Sequence, residues 1–418
     1  MALSSTLGYP RIGRDRELKR ACEAYWKGAL SAEELRRTAA ELRHAHRQAQ
    51  RAAGIDLIPC NDFSFYDMVL DAVALVGAVP PRYHWDGGTV DLDTYFAMAR
   101  GAQRAGLDVT AMEMTKWFDT NYHYIVPEWH SGQRFHVASG KPFDELAEAQ
   151  AQGVSARPVL VGPLTLALLG KPQDDGVDLL GATLDGILEV YAQVVERLAA
   201  AGATWIQLDE PCLVQDRSPA ELAALRRAYA ALAAHKGHAR LLVQTYYGHV
   251  GDAFETLAGL PVDAIGLDFV RGPQNLELLR RYGLPEEMHL AAGVVDGRNV
   301  WRADLSAALG TLEDVADVVR PERILVTPSC SLLHVPYDAT RETSLDPALR
   351  GWLAFAEQKL AEVVTLTHGL NEGRAAVAGD LQASVAVQEQ RRSSPRVHDP
   401  VVQRRMAGMA DGARPPYV

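Results

Sequence analysis

The sequence has 418 residues, of which 48% are hydrophobic and 23% charged, the composition of an ordinary globular protein. Its 42 Lys and Arg residues against 53 Asp and Glu give a formal net charge of −11, which disfavours non-specific binding to nucleic acid or to an anionic membrane. Any anionic ligand therefore requires a local cluster of basic side chains. The length suits two or three average domains, or one α/β barrel.

Neither a membrane segment nor a disulfide framework is predicted. The most apolar stretch, residues 160–170, is far shorter than the roughly 20 residues of a membrane-crossing helix. The N-terminus is charged by position 11 and lacks an apolar signal core. The four cysteines lie far apart without a C-x-x-C pair, so we expect a cytoplasmic protein with reduced thiols.

Short apolar runs alternate with longer segments rich in Ala, Leu, Glu and Arg. Several runs are almost continuously hydrophobic, which is typical of parallel strands that are buried on both faces. Helices are predicted between them, for example Ala32–Ala52, Leu179–Ala201 and Ala220–His235. The predicted strands are Thr6–Pro10, Ile55–Cys60, Val109–Met114, Pro158–Gly162, Trp205–Asp209, Leu241–Tyr246, Ala264–Phe269, Leu290–Val295 and Ile324–Thr327.

This alternation predicts an α/β fold, a (βα)8 TIM-type barrel with insertions. Nine strands exceed the eight of such a barrel, and a hairpin near Met112–Tyr124 would absorb the excess. An open doubly wound sheet is the competing architecture, although no G-x-G-x-x-G follows the first strand. Polar residues follow many strands, where the active sites of parallel barrels gather. They are Asn61, Asp62, Glu113, Asp209, Glu210, Asp268, Asp296, Ser329 and Cys330.

The C-terminal residues have a different composition. Residues 391–418 are rich in Pro, Ser and Arg and lack aliphatic periodicity. We therefore predict one barrel domain over residues 1–390, followed by a linker or extended segment over 391–418.

The first candidate site is the turn Gly13–Arg20, directly after the first predicted strand. Asp15 is a suitable N-cap for a helix, and Arg16 and Lys19 are spaced to share one face of it. Free N–H groups at a helix start together with two cations form an anion site. The alternative is a solvated basic turn paired to Glu17 and Glu23.

The second candidate site is the segment Met112–Tyr124, which contains a Lys, a His, two acids and four aromatic residues. Such a density of functional side chains is typical of a binding loop. The alternative is an aromatic-rich hydrophobic plug.

Metal and acid–base motifs are weak. Cys330 and His334 form a C-x3-H pair, two ligands short of a catalytic zinc site, which favours a buried Cys beside a hydrogen-bonded His. Asp209 and Glu210 are either a proton-transfer pair or carboxylates that bind neighbouring loops.

Seven segments in order along the chain together resemble the N-terminal half of the cobalamin-independent methionine synthase family, the 5-methyltetrahydropteroyltriglutamate–homocysteine methyltransferases. The tail SPRVHDPVVQRRMAGM also resembles the segment that joins the two halves in that family. The seven segments are LGYPRIGRDRELK (7–19), GIDLIPCNDFSFYD (54–67), EMTKWFDTNYHYIVPE (113–128), WIQLDEP (205–211), GLDFVRGP (266–273), AGVVDGRNVWR (292–302) and SCSLLHVPYD (329–338).

The resemblance implies two face-to-face barrels, of which the second is absent from this sequence. It also implies that the N-terminal half holds the oligoglutamate tail of the folate substrate. The residues that match this role are Arg16, Glu17, Leu18, Lys19 and Lys116. The expected partners are therefore 5-methyltetrahydropteroyltriglutamate and a C-terminal catalytic barrel, in cis or in trans.

The family's catalytic zinc belongs to the C-terminal barrel, so no cofactor and no metal are expected in this chain. The strand that carries the H-x-C ligands there resembles Gln244–Gly248 here, without thiol or imidazole. Cys330 and Asp268 match at most two of the ligand positions, too few for catalytic zinc.

Two alternatives to this N-terminal half remain open. One is a stand-alone binding or scaffold module that acts in trans. The other is a metal-independent barrel enzyme similar to uroporphyrinogen decarboxylases, with Asp209, Glu210 and His123 as acid–base groups.

Overall fold

The computed structural model describes residues 1–104 and 106–410, and its centre is a closed barrel of eight parallel strands. The strands are arranged around the barrel in the order β1-β8-β7-β6-β5-β4-β3-β2. A parallel bridge between Ser5 and Leu57 joins the chain beside β1 to the chain beside β2 and completes the ring. The strands are β1 (Leu3–Ser4), β2 (Ile58–Cys60), β3 (Ala156–Val161), β4 (Trp205–Asp209), β5 (Arg240–Gln244), β6 (Ala264–Asp268), β7 (His289–Val295) and β8 (Ile324–Pro328).

The barrel confirms the predicted fold class and rules out the open doubly wound sheet, since consecutive strands are neighbours all the way round. The prediction of nearly continuous apolar strands is also confirmed, because every residue of β3 and β4 is buried. Strand interiors this apolar need helices on the outside of the sheet to exclude water.

Two of the nine predicted strands are wrong. The strand predicted at Thr6–Pro10 lies earlier, at Leu3–Ser4, because the buried guanidinium of Arg157 takes the carbonyl of Thr6 with an Nη2–O distance of 2.6 Å. The segment Val109–Met114 is not a barrel strand at all. It connects two short antiparallel pairs outside the barrel, and the second of these is the hairpin that was predicted to absorb the excess strand.

Within residues 1–104 and 106–410, six short strands lie outside the barrel and form three two-stranded sheets. The first two sheets are antiparallel and the third is parallel. The pairs are Ala102–Arg104 with Leu107–Val109, Met114–Lys116 with His123–Ile125, and Glu128–Trp129 with Lys171–Pro172.

The helices surround the barrel and extend the chain beyond it. The predicted helix Ala32–Ala52 is confirmed as Ala32–Ala53 and ends, as its sequence indicates, at Gly54 with a φ of 91°. The α-helices are α1 (Glu17–Trp26), α2 (Ala32–Ala53), α3 (Met68–Leu75), α4 (Leu92–Arg100), α5 (Lys141–Ala151), α6 (Pro163–Leu169), α7 (Leu184–Ala200), α8 (Pro219–Ala233), α9 (Phe254–Ala258), α10 (Asn275–Tyr282), α11 (Leu305–Ala316), α12 (Pro347–Gly351), α13 (Ala356–Glu372), α14 (Ala378–Ser393) and α15 (Pro400–Ala410).

The C-terminal segment is more helical than its composition indicates. The predicted boundary after residue 390 falls inside α14, and α15 occupies part of the predicted linker. The start of α15 is favoured locally, because Oδ1 of Asp399 accepts the N–H of Val401 at 2.7 Å and Pro400 occupies the first turn. Residues 411–418 lie outside the described part, and the domain division itself stays a prediction.

No helix within residues 1–104 and 106–410 is both long enough and apolar enough to cross a lipid bilayer.

Candidate functional site

The turn that leads into α1 lies at the carboxyl end of the barrel, because it follows β1. Asp15 was predicted as the N-cap, and this is wrong: α1 begins at Glu17 and its N-cap is Arg16, in the left-handed conformation with φ 62° and ψ 36°. The carboxylate of Glu17 accepts the N–H of Asp15 at 2.9 Å and so closes the turn from inside. Leu18 is only 1% exposed and packs in the core.

Arg16 and Lys19, the two cations of the predicted anion site, are both exposed. The side chain of Arg16 has no hydrogen-bond or salt-bridge partner among the described residues. The alternative, a solvated turn paired to Glu17 and Glu23, is met in part, because Lys19 lies near Glu23. Lys19 lies one turn into α1, and its Nζ is 3.7 Å from a carboxylate oxygen of Glu23 with both side chains about half exposed. Exposed pairs of this kind contribute at most about 1 kcal/mol, so Lys19 remains available to another anion.

The hairpin Met114–Ile125 covers the mouth of the barrel. Its two strands pair in the register Lys116 opposite His123, and the side chain of Lys116 is exposed. Trp117 follows directly, is only 1% exposed, and donates its indole N–H to the hydroxyl of Tyr247 at 2.9 Å. The aromatic part of the segment is therefore a plug, as one prediction had it, while Lys116 stands on its outer surface.

Two further contacts hold the hairpin on the barrel. The hydroxyl of Tyr247 bonds to Nε2 of His334 at 2.7 Å. Burial lowers the pKa of His334 to about 4, so its imidazole is neutral near pH 7. On the other side, Nη1 of Arg298 forms a salt bridge of 2.8 Å with Asp119 in the hairpin turn.

Arg11 joins the hairpin to the chain that enters α1. Its Nε donates to the hydroxyl of Tyr122 at 2.7 Å, and its Nη1 donates to the carbonyls of Ser64 and Phe65 at 2.9 and 3.1 Å. Both candidate segments therefore lie at the same end of the barrel and share this arginine. The role of Arg16, Glu17, Leu18, Lys19 and Lys116 in ligand binding stays a prediction.

The space under the hairpin is too small for a substrate. A cavity of about 30 Å³ remains there, lined among others by Asp62, Trp117, Asp209 and Tyr246, which is room for about one water molecule. Small-molecule sites usually measure several hundred Å³. In this conformation the barrel mouth does not admit a folate.

The acid pair after β4 is held by structural hydrogen bonds. Glu210 accepts two backbone N–H groups at the start of α6 and also the hydroxyls of Thr165 and Tyr229, at 2.5 and 3.0 Å. Burial raises the pKa of Asp209 to about 7, and its carboxyl is bonded to Gln207 and Tyr246. For Glu210 this geometry favours the prediction of a carboxylate that binds neighbouring segments over that of a proton-transfer group.

The positions that match zinc ligands do not fit the metal. Asp268 accepts three backbone N–H groups, those of Tyr247, Val270 and Arg271, at 2.8 to 3.0 Å. Burial holds the pKa of the Cys330 thiol well above its ordinary value, which disfavours the thiolate that zinc needs. Within the described residues, no group of three or more His, Cys, Asp or Glu side chains is arranged to hold a metal ion.

Not every predicted strand-end residue belongs to the mouth. Glu113 was predicted to follow a barrel strand, but it lies beside the hairpin and pairs with Lys171 at 2.7 Å. Conversely, no role was predicted for Arg11, Tyr247 or Arg298. Arg11 and Arg298 lie within matching segments and Tyr247 does not, and only the contacts of the three across the mouth reveal what they do.

The matching family model and the similar proteins point to the same family. The family model described as "Cobalamin-independent synthase, N-terminal domain" matches residues 3–320. A 5-methyltetrahydropteroyltriglutamate–homocysteine methyltransferase from Salinibacter ruber is 51% identical over 414 residues, which cover 98% of this chain and 54% of the relative. The enzyme of the same name from Caulobacter vibrioides is 49% identical, with 97% and 54% covered. The chain thus spans about half the length of the curated relatives it matches.

Solved structures support the fold. A putative vitamin-B12-independent methionine synthase from Listeria monocytogenes has a TM-score of 0.59 at 16% identity and covers 88% of this chain and 99% of its own. A B12-independent methionine synthase from Shewanella sp. W3-18-1, solved with selenomethionine, has the same TM-score and identity and covers 91% and 100%. At this identity the likeness shows a shared fold alone.

Proposed function

The chain belongs to the family of cobalamin-independent synthase N-terminal domains, and from that premise we propose that it supplies the folate-tail-binding half of a methionine synthase. The complete enzyme would transfer a methyl group from 5-methyltetrahydropteroyltriglutamate to homocysteine. In this proposal the chain holds the oligoglutamate tail and provides a docking face for the catalytic half. It contributes no catalytic residue of its own.

The observation that carries the proposal is the set of exposed cations at one end of the barrel. Arg16, Lys19 and Lys116 are all exposed, and no described residue forms a close ion pair with Arg16 or Lys116. In a chain with a net charge of −11, exposed cations left without carboxylate partners are available to an outside anion. A triglutamate tail presents several carboxylates along an extended chain, which suits cations on two neighbouring segments.

The start of α1 lies beside these cations, and of its backbone donors the N–H of Leu18 is already bonded to the carbonyl of Ile12 at 3.2 Å. The first N–H groups of a helix have no partner inside the helix and carry a partial positive charge, so they attract carboxylates. Glu17 and Leu18 position this helix start. The Glu17 carboxylate closes the turn, and the buried Leu18 fixes the helix in the core. We assign them to shaping the site, and the contacts to Arg16, Lys19 and Lys116.

The docking face is proposed at α15. Its apolar residues Val401, Val402 and Met406 are 50–65% exposed, a patch that would be unfavourable in water without a partner. Nearly half the length of the relatives lies outside the region matched by this chain. We propose that the catalytic half, in cis or in trans, covers this helix, and that zinc is bound only there.

Calorimetry with 5-methyltetrahydropteroyltriglutamate tests the tail site directly. We expect Lys19→Ala and Lys116→Ala each to weaken binding by about tenfold, the size of one lost charge-assisted contact. Lys27→Ala removes the same charge at the opposite end of α1 and is the matched control. Unchanged affinity in both test variants would exclude the assignment.

Co-production with the catalytic half of the Salinibacter ruber relative tests the docking face. We expect Val402→Glu combined with Met406→Glu to abolish co-purification, because it places two charges in the apolar contact. Gln403→Glu adds a charge to the same helix without touching the patch and should leave the complex intact. Equal recovery of the complex from both variants would place the interface elsewhere.

A further inference from the structure

A second cleft, of about 390 Å³, lies between the loop after β7, helix α11 and the last turns of α14. Its volume is within the range of small-molecule sites. None of the residues discussed for the folate tail lines it. Its polar lining includes Asp296, Arg302, Asp304, Lys359, Arg391 and Arg392.

The lining has an excess of positive charge. Four of these six side chains are cationic and two are acidic, in a chain whose overall net charge is −11. The acids are already engaged by their own backbone. Oδ1 of Asp296 accepts the N–H groups of Arg298 and Asn299 at 2.8 and 3.1 Å, and Oδ1 of Asp304 accepts that of Ala307 at 3.1 Å. The two negative charges of these carboxylates therefore offset the positive charge of the four cations only in part.

The guanidinium groups of the cleft are unpaired. In the described part of the chain, neither Arg302 nor Arg392 has a side-chain hydrogen bond or salt bridge. Arg391 lies over the ring of Trp301 with its guanidinium carbon 5.0 Å from the ring centroid. By contrast, Arg280 on α10 is an exposed arginine with a carboxylate partner, Asp314 at 2.7 Å.

Lys359, a buried residue of α13, supplies the fourth cation. Its side chain is fully buried, and its Nζ donates to the carbonyl of Trp301 at 3.2 Å, which uses one of three donors. Burial away from water lowers the pKa of Lys359 because it penalises the charged ammonium. The carboxylates of Glu362 and Asp296 offset part of that penalty, and an anion in the cleft would offset more of it.

We propose that this cleft is a binding site for a small organic anion that carries phosphate or carboxylate groups. Arg302, Arg391 and Lys359 bind its charged groups. The walls formed by Val270, Val294 and the half-exposed ring of Trp301 contact its apolar body. The site is independent of the proposed folate-tail cluster, since it uses the loop after β7, α13 and α14 rather than α1 and the hairpin.

Calorimetry on the full chain with inorganic phosphate, citrate and phenyl phosphate tests the site. We expect phenyl phosphate to bind more tightly than inorganic phosphate, because its ring contacts the apolar walls. Citrate distinguishes carboxylate from phosphate recognition. We expect Arg302→Gln and Arg391→Gln each to weaken the tightest of the three probes by about tenfold.

Lys359→Met tests the buried cation without leaving a cavity, and thermal unfolding verifies that the variant is folded. It should weaken the same probe by at least tenfold. Arg280→Gln removes an equal charge from a paired site on α10 and should leave binding unchanged. Absence of binding by all three probes, or binding that is lost in Lys19→Ala and kept in Arg391→Gln, would overturn the proposal.

Discussion

The indole nitrogen of Trp117 donates a hydrogen bond to the hydroxyl of Tyr247 at 2.9 Å, across the mouth of the barrel. Tyr247 in turn bonds to Nε2 of His334 at 2.7 Å, so one hydroxyl links the hairpin, the end of β5 and the loop after β8. These two contacts turn the aromatic residues of the hairpin inward. The exposed position of Lys116 follows from them, because neighbouring residues of a strand point to opposite faces.

Removing the hydroxyl of Tyr247 should loosen the hairpin. Tyr247→Phe leaves the Trp117 N–H and the His334 nitrogen without a partner in a buried place, so we expect a loss of about 1–3 kcal/mol in the free energy of unfolding. Urea denaturation measures the loss, and faster amide exchange in residues 114–125 would locate it. Tyr282→Phe removes an exposed hydroxyl and should change neither. Equal stability of both variants would contradict the anchoring role.

The carboxylate of Glu210 should be structural. Glu210→Gln replaces one acceptor oxygen by an NH2 group that faces donors from Leu164, Thr165 and Tyr229. We therefore expect destabilisation of about 2–4 kcal/mol, measured by chemical denaturation. Glu189→Gln, on an exposed face of α7, is the control. A Glu210→Gln variant as stable as the native chain would revive an acid–base role for this residue.

His46 should make the fold sensitive to acid. Burial lowers its pKa to about 3, against about 6.5 in the unfolded chain, so between these values the unfolded chain binds a proton that the folded chain does not. The stability it contributes is full above pH 6.5 and falls as the pH falls. His46→Phe lacks this dependence. We therefore expect its free energy of unfolding, relative to that of the native chain, to rise by about 2 kcal/mol from pH 7 to pH 5.

Denaturation curves at both pH values measure this difference, with His44→Phe on the exposed face of the same helix as control. Parallel loss of stability in the native chain and in His46→Phe would show that other groups dominate the acid response. Buried carboxyls with raised pKa values, such as Asp67 at about 7, act in the opposite direction and are common to all variants.

Arg11 should act on the proposed tail site without touching its ligand. Arg11→Lys keeps the charge but loses the forked geometry that binds Tyr122, Ser64 and Phe65 together. We expect a several-fold weaker affinity for the triglutamyl folate in calorimetry, because Lys19 and Lys116 are no longer held in one arrangement. Wild-type affinity in this variant would mean that the two segments bind independently.

Much of the barrel was evident from the sequence, because its signals are local. Apolar runs such as 205–209 and 264–269 mark strands buried on both faces, and Gly54 ends α2 where the pattern changes. The ends of strands and helices were predicted less accurately where residues distant in the sequence form contacts with them. The carbonyl of Thr6, just after β1, is taken by Arg157, which is 151 residues away in the sequence, and no local rule selects that contact. The start of α1 depends instead on a short-range contact, since Glu17 accepts the N–H of Asp15.

The sequence by itself determined the family, the fold class and the residues that match the folate-tail motif, since these are properties of residue order. Only the tertiary structure decided which of their side chains are exposed and lack a partner within the protein. It turned Trp117 inward and left Lys116 exposed, engaged Glu210 in hydrogen bonds, and gathered Arg302, Lys359 and Arg391 around one cleft. Whether a polar group is paired or available depends on neighbours that the closed barrel brings together. The distances between such residues in space cannot be read from their order in the sequence.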